Sequence, residues 1–343
     1  MKRKHINNVQ TLTVDEHFKL LLKEEKLIDS KFINNTSLAT PADLPDWYNE
    51  KLFREGQNYY KQNMLAMILS SFIGLFAIIA IPDILKVLIY TKKSNIPYTA
   101  FSRYIQTALH VHNLYTCDPN NSDSNWYKTI NVIRWKHKTS SERSMNACVG
   151  GIYQKDMALT QFAFVGYVFI APISIGLRNK PEEEEAFNHF WRVIGYMLGI
   201  PDRLNLCRKT AMETRELCQK ISTDILANYL NEAPPDFYHT ISIIIHVLWY
   251  FDVTLDKDAL LAFTYRLHGI KYKVPLSWSS WLNMKYRDLI FYLCHIPYVG
   301  TVVKIYYKYI IIFTFWLVQK WPVHAWMSFG KENCQIKLYP TYI

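Results

Sequence analysis

Polar residues recur at helical intervals between Tyr98 and Cys207, where the sequence reads Arg103-x-x-Gln106-Thr107, Arg134-x-x-His137, Gln154-x-Asp156-x-x-x-Thr160 and His189-x-Trp191-Arg192-x-x-Gly195. Spacings of three and four residues place the members of a cluster on one face of a helix. Buried polar groups are costly unless they are paired or used. Four such clusters therefore predict several helices around a lined internal site. A lone histidine in each of several helices suits a planar metal cofactor.

The composition favours one all-α domain. Half of the 343 residues are hydrophobic and 15% are aromatic, which is ample core for a single large domain. The chain has only eleven glycines, and few glycines with few regular turn signals favour long helices over a many-stranded β fold. Six widely spaced cysteines without a Cys-x-x-Cys pair predict reduced core thiols.

The charge pattern bears on the partners. The net charge is +10, and the basic residues flank apolar aromatic stretches, which favours an anionic membrane surface. The sequence has no recognition helix, zinc finger or RNA-binding signature, so we expect no nucleic-acid partner. Residues 1–50 are polar without an apolar run, which predicts no secretory signal peptide.

Periodicity and turn residues predict the helices. We expect helices at residues 14–26, from Asp46 into Leu65, and at 98–115, 126–138, 157–177, 181–199, 204–231 and 238–250. Pro172 predicts a kink or break in the fifth of these helices. Residues 118–124 and 139–146 are expected to be loops.

Two apolar segments leave the membrane question open. Leu65 to Ile81 is long enough either to be a core helix or to reach the lower limit of a bilayer span, and Ser70, Ser71 and Gly74 allow close helix packing. Tyr309 to Val318 is too short to span alone, and Pro297, Gly300, Lys304 and Lys308 interrupt the region before it. The surrounding tyrosines and tryptophans are typical of an interfacial belt, but packing of a C-terminal helix on the core explains them equally.

The candidate site residues each have a structural alternative. Arg103, Gln106, Thr107 and His110 share one helix face, where they are either solvated or able to stabilise negative charge on a ligand. His137 lies on an apolar face, where a lone histidine is more often a core residue than a metal ligand. Arg134 is either a partner for a cofactor carboxylate or half of a surface ion pair.

Two further clusters have simpler explanations. Asp156 is best placed as an N-cap or first-turn acid. His189, Arg192 and Gly195 lie on one helix, where they form a polar network or reflect ordinary helix packing.

The residues from Tyr98 to Cys207 resemble the catalytic domain shared by latex-clearing rubber oxygenases and the endoplasmic-reticulum-bound oxygenases of mycophenolic acid biosynthesis, and especially insect members of that family. The matching blocks are Arg103-Tyr-Ile-Gln-Thr107, Val132-Ile-Arg-Trp-Lys-His137, Gln154-Lys-Asp-Met-Ala-Leu-Thr160 and His189-Phe-Trp-Arg-Val-Ile-Gly-Tyr-Met-Leu-Gly-Ile-Pro201. The match covers about a third of the chain strongly and residues 50–270 weakly. Its last block is long and fairly specific.

The resemblance implies an all-α fold around a non-covalent haem b. It gives His137 the role of axial iron ligand, because the interval from Arg103 to His137 matches the family's interval between its pocket arginine and that histidine. Arg103 and Thr107 are then expected to contribute to catalysis and to bind the haem. Arg134 and His189 are expected cofactor-binding residues just outside the iron ligand. Should His137 not bind iron, His110 and His189 are the next candidates.

The sequence also departs from the family pattern. Rubber oxygenases have a lysine just before the threonine, where this chain has Gln106, and they use an upstream glutamate, whereas residues 84–100 contain no acid. Base-dependent cleavage of polyisoprene is therefore not expected.

Together these features predict a haem-dependent oxygenase or oxidoreductase that acts with dioxygen on a hydrophobic, isoprenoid or lipid-like substrate. The alternative is a non-catalytic, membrane-associated helical protein that binds lipid or haem. The expected parts are a polar N-terminal segment (1–45), an oxygenase-like helical domain (46–285) enclosing a haem-sized pocket, and an apolar aromatic C-terminal segment (286–343). The protein is expected at a membrane, and the resemblance places it at the endoplasmic reticulum.

Overall fold

The computed structural model describes residues 9–25, 27–28, 38–92 and 96–340, and within these ranges the regular elements are helices. In chain order they are α1 (Val14–Lys23), α2 (Glu50–Gln62), α3 (Met64–Ile79), α4 (Pro82–Tyr90), α5 (Pro97–Thr116), α6 (Asn125–Asn146), α7 (Gln154–Ile170), α8 (Pro181–Met197), α9 (Ala211–Ile221), α10 (Ala227–Asn231), α11 (Pro235–Leu248), α12 (Lys257–Leu267), α13 (Trp278–Cys294), α14 (Val299–Lys320) and α15 (Val323–Phe329). The predicted all-α class is confirmed.

The expected helix from Asp46 into Leu65 is wrong in both its start and its end. Asn49 caps α2, because its side-chain oxygen accepts the Leu52 amide at 3.1 Å. At Asn63 the chain turns by 91° between α2 and α3. The Asn63 side chain donates to the Tyr59 carbonyl at 3.0 Å, and the Asn63 backbone amide donates to the Tyr59 and Tyr60 carbonyls, so this residue closes the end of α2.

Helix α3 lies in the core against α7. A Cβ atom added at Gly74 would lie 2.6 Å from Ala163 Cα, so the two backbones approach as closely as only glycine allows. No residue of α3 is exposed: most are buried, and those on one side of the helix, among them Leu65, Ile68 and Phe72, are half-buried, as expected for a core element. This packing supports the core interpretation of Leu65 to Ile81 and confirms the predicted role of Gly74.

The start and end of α7 follow from the sequence. The Asp156 carboxylate accepts the Tyr153 amide at 2.9 Å, which confirms it as a first-turn capping acid. The helix ends at Ile170, and Pro172 starts a short 3₁₀ turn at Ile173–Ile175, so the predicted break is confirmed.

Two other boundaries differ from expectation. The predicted loop at 139–146 is the end of α6, whose Thr139 hydroxyl donates back to the Trp135 carbonyl at 2.8 Å. The predicted helix at 204–231 begins only at Ala211, and a π-helical turn at Ser222–Leu226 separates α9 from α10. The N-terminal residues dock here, because buried Arg208 donates to the Thr11 carbonyl at 2.8 Å.

The C-terminal segment forms a helical hairpin of α13 and α14. We expected interruptions near Gly300, Lys304 and Lys308, but α14 runs unbroken from Val299 to Lys320. Gly300 lies in its first turn, where a Cβ atom would lie 2.8 Å from the Cys294 carbonyl carbon. The glycine therefore permits a tight turn between the two helices and does not break α14.

All six cysteines are free thiols, as predicted, but only Cys207, Cys218 and Cys334 are buried in the core, and Cys148 is exposed. The boundary expected between residues 285 and 286 falls inside α13.

Candidate functional site

Helices α5 and α6 form an antiparallel hairpin whose register is fixed by two polar contacts. The Lys136 ammonium donates to the Gln106 side-chain oxygen at 2.8 Å. Nearer the connecting loop, the Tyr339 hydroxyl accepts the Asn113 amide at 2.7 Å and lies 3.1 Å from the Thr129 hydroxyl. Residues at equal distance from the loop face each other, so Arg103 on α5 lies level with the turn of α6 that carries His137.

His137 has an imidazole whose Nδ1 atom is buried without a hydrogen-bond partner within the described ranges. Burial, together with the positive charges of Arg103 and Lys136, lowers the pKa of His137 to about 4. The ring is therefore neutral near pH 7 and keeps a free nitrogen lone pair. That is the chemical form in which histidine binds a metal.

Arg103 is positioned from a third helix. Its Nη1 atom donates at 2.9 Å to the hydroxyl of Thr91, which follows α4 and itself donates to the Leu88 carbonyl at 2.7 Å. Burial lowers the pKa of Arg103, but an arginine remains charged at every physiological pH. Its charge acts on His137, so the structure brings these two predicted residues together.

Thr107 and Arg134 are arranged differently. Thr107 is exposed, and its hydroxyl donates to the Arg103 carbonyl at 2.9 Å. Arg134 is half-buried. Burial lowers its pKa and the Asp43 charge raises it, so its guanidinium is influenced by the segment that precedes α2.

His110 is the most completely buried histidine of this hairpin. It is 2% exposed, and neither ring nitrogen has a partner in the described part of the chain. Burial and the Lys136 charge lower the pKa of His110 to about 3. Its ring centroid lies 6.0 Å from that of Tyr339, so the C-terminal segment covers this part of α5.

His189 lies elsewhere. Its Nε2 accepts the Asn49 amide at 3.0 Å, and its ring packs edge-on against Trp47 at 5.8 Å. Burial lowers the pKa of His189 to about 4, which keeps Nε2 an acceptor at the start of α2. The contacts found for His189 thus give it a structural role near α2 and do not place it beside His137.

The other polar residues of the His189 block also have structural partners. Arg192 forms two hydrogen bonds with Asp202, at 2.9 and 3.1 Å. Trp191 donates to the Tyr115 hydroxyl at 2.7 Å. The space beside Gly195 is filled by the Gln161 and Asn205 side chains, not by a flat ligand.

Three residues of the site were not predicted from the sequence: Thr91, Lys136 and Tyr339. Thr91 and Tyr339 reach the hairpin from distant parts of the chain, so no local pattern signals them. Lys136 could have been suspected, because it lies within the Val132–His137 block and next to the predicted ligand.

Neither the cavities nor the clusters of metal-binding side chains among the described residues coincide with the region around His137. Two cavities lined by described residues lie elsewhere, one near Asn63 and Cys294 and an open one of about 360 Å³ near Asp83 and Lys155. Among the described residues, no three His, Cys, Asp or Glu side chains converge as they would for a bare metal ion.

Within the part of the chain that the structure describes, one helix, Val299–Lys320, is long and apolar enough to cross a membrane, and the bent pair of α2 and α3 would count as a second if it were one span. Helices in the cores of soluble proteins can be equally long and apolar, so this property alone does not place α14 in a membrane.

Fold and site together define a class: an all-α protein in which a neutral histidine and cationic side chains meet between adjacent helices. Comparison with solved structures finds a protein of similar fold. The chain is similar to the structure of latex clearing protein in the closed state, with a TM-score of 0.50 and 14% identity over 87% of this chain and 85% of that chain.

At this identity the likeness shows the fold and a distant structural relationship. It supports the expected resemblance to latex-clearing proteins. It does not test the expected resemblance to the endoplasmic-reticulum-bound oxygenases or to the insect members. No protein-family model matches the sequence, and no curated protein matches it.

Proposed function

We propose that this chain is a haem-dependent oxidoreductase of the oxygenase type, with His137 as the protein ligand to the iron and a hydrophobic small molecule as substrate. One observation carries the proposal. A neutral imidazole, with a buried nitrogen that has no partner among the described residues, lies within the electrostatic influence of a guanidinium on the neighbouring helix, in a fold similar to that of latex clearing protein.

The residues present fit a porphyrin better than a bare metal. A haem supplies four of its own nitrogen ligands, so a single protein imidazole suffices. Haem b also carries two carboxylates, which match the cationic charge of Arg103 and Lys136 and, further along α6, of Arg134. Neither cavity described above is lined by His137. The proposal therefore includes that space for the porphyrin ring opens beside this residue.

When bound, the haem would supply the oxygen chemistry. The chain would hold it through His137, and Arg103 would donate hydrogen bonds to a haem carboxylate or to dioxygen. Thr107 could do the same only by releasing the Arg103 carbonyl. His189 would support the fold from the start of α2.

The reaction need not be polyisoprene cleavage. Gln106 replaces the family's lysine, but the Lys136 ammonium reaches its side-chain oxygen from α6. A positive charge therefore remains near that position. No acid between residues 84 and 100 replaces the family's glutamate, so we propose an oxygenation that does not need that base.

The test is the absorption spectrum of protein expressed with a haem supply. The parent should show a Soret band, and His137→Ala should lose it while helical circular dichroism is unchanged. His189→Ala is a matched control, because removal of another buried imidazole should leave the haem content as in the parent. Full haem occupancy in His137→Ala would overturn the ligand assignment, with His110 tested next.

The alternative is a membrane-associated protein that binds haem or lipid without turnover, and the departures at Gln106 and at residues 84–100 favour it. Oxygen consumption with a lipid or isoprenoid substrate separates the two. A Soret band without oxygen uptake supports the binding protein, and a colourless, iron-free protein rules out the haem proposal. A location at the endoplasmic reticulum would be tested by imaging the tagged full chain.

A further inference from the structure

Helix α14 has its polarity reversed relative to the surface helix of a water-soluble protein. Its exposed residues between 298 and 316 are apolar or aromatic except for Thr301. We call the apolar ones the aromatic face: Tyr298, Val299, Val302, Ile305, Tyr306, Tyr309, Ile310, Ile312, Phe313 and Trp316. Tyr306, Tyr309 and Phe313 are each about 60% exposed. Between residues 298 and 316, all of which the structure describes, no exposed residue is charged.

The two lysines in the body of α14 point away from solvent, and the only exposed charge of the helix is Lys320, its last residue. Lys304 and Lys308 are half-buried, and the Lys304 ammonium donates to the Asn63 side chain at 3.0 Å. In water, a surface helix turns its lysines outward and its apolar residues inward. This helix does the opposite, which indicates that the medium on its outer side is apolar.

Helix α13 extends the same surface. Trp278 and Trp281 stack at 5.1 Å, and both are exposed. The two helices are joined where the hydroxyls of Tyr286 and Tyr307 meet at 3.0 Å. Exposed apolar patches of this extent on soluble proteins mark interaction sites.

The charge around this surface identifies its partner. Residues 271–331 contain eight lysines and arginines and one acid, Asp288, a net charge of 8 − 1 = +7 out of +10 for the whole chain. Lys285, Lys320 and Lys331 lie at exposed positions around the aromatic face. An apolar, aromatic centre with a cationic surround complements the surface of an anionic phospholipid bilayer.

We propose that the aromatic face of α14, with the exposed face of α13, binds the surface of an anionic phospholipid membrane, with α14 lying in the plane of the bilayer. A transmembrane orientation would surround α14 with lipid. Its inner face instead contacts the protein body, through Lys304 and Asn63 and through Phe315, whose ring lies 4.8 Å from that of His112 on α5. At 1.5 Å per residue the helix would lie along about 33 Å of membrane surface.

The test is flotation of the full chain with vesicles of phosphatidylcholine and phosphatidylserine. Replacement of Tyr306, Phe313 and Trp316 by Gln should lower the partition coefficient about tenfold or more, because large apolar groups leave the lipid. Exposed apolar residues elsewhere provide the matched control: Leu12, Met212 and Tyr229 replaced by Gln should float as the parent does. Circular dichroism should be unchanged in both.

A second variant separates the contribution of charge to membrane binding from that of apolar contact. Replacement of Lys285, Lys320 and Lys331 by Gln should abolish the preference for vesicles with phosphatidylserine over pure phosphatidylcholine. Brominated lipid should quench the parent's tryptophan fluorescence more than that of Trp316→Phe.

Three results would overturn the proposal: a parent that does not float, an aromatic-face variant that floats as the parent does, or a dimer that only the aromatic-face variant disrupts. The last result would make this face an interface between two copies of the chain. None of these results depends on haem.

Discussion

Two of the three histidines of the α5–α6 hairpin, His110 and His137, differ in what their unpartnered nitrogens imply. His110 is 2% exposed, neither of its ring nitrogens has a hydrogen-bond partner among the described residues, and the Lys136 charge opposes protonation. Without a ligand, such a group costs about 1–3 kcal/mol of desolvation. His110→Leu should therefore leave the free energy of unfolding unchanged or raise it by about 1 kcal/mol, as measured by urea denaturation of haem-free protein.

The same substitution separates His110 from the haem. If His137 alone holds the iron, His110→Leu keeps the full Soret band. A loss of more than 2 kcal/mol of stability would show that His110 has a partner, and a loss of haem would make it a ligand.

At the residue level, the sequence predicts what depends on local spacing. The capping role of Asp156 follows from its place at the start of a helix. The relation of Arg103 to His137 was expected only from the family resemblance, and the α5–α6 hairpin with its loop at 118–124 gives it a physical reason. The Thr91 contact to Arg103 and the Asn49 contact to His189 could not be predicted, since each joins segments that only the tertiary fold brings together.

At the scale of elements, the contact between α3 and α7 depends on one absent side chain. Gly74→Ala would place a methyl group against the Ala163 backbone, and backbone cannot move aside as a flexible side chain can. We expect a loss of about 2 kcal/mol or more in the free energy of unfolding. Urea or thermal denaturation measures it.

Ser71→Ala is the matched control for Gly74→Ala. Ser71 lies on the same helix, and its hydroxyl donates only to the Met67 carbonyl within that helix. This variant should stay within about 0.5 kcal/mol of the parent. If Gly74→Ala is equally mild, the two helices have room to separate, and the close approach does not limit stability.

Helix boundaries were predictable where proline marks them and not where tertiary contacts override the pattern. Pro97, Pro181 and Pro235 each open a helix. The continuity of α14 was missed because Lys304 and Lys308 were expected to interrupt it. Burial of the lysines against the protein body, with Asn63 as a partner for Lys304, removes that conflict.

At the scale of the whole molecule, buried histidines make the fold sensitive to acid. Burial lowers the pKa to about 4 in His17, His112, His137, His189 and His268, and to about 3 in His110. An unfolded histidine titrates near 6.5. Between these values the unfolded chain binds more protons than the folded chain, so the free energy of unfolding falls as pH falls.

Asp156 acts in the opposite sense, because burial raises its pKa to about 6, but it is one group against six. Each histidine whose pKa is lowered removes at most roughly 1.4 kcal/mol per pH unit, so six of them together can remove on the order of 10 kcal/mol between pH 6.5 and 4.5. That loss is comparable to the whole stability of a typical domain, and we therefore expect the protein to unfold in acid within this range. Urea denaturation at constant ionic strength measures the free energy of unfolding at each pH.

His110→Leu should reduce the dependence of the free energy of unfolding on pH by about one sixth, because it removes one of the six groups. A stability that is equal at pH 7.5 and pH 5 would show that these imidazoles reach water or a proton-accepting partner in the folded protein, and His137 would then lose the desolvated neutral form on which its proposed role depends.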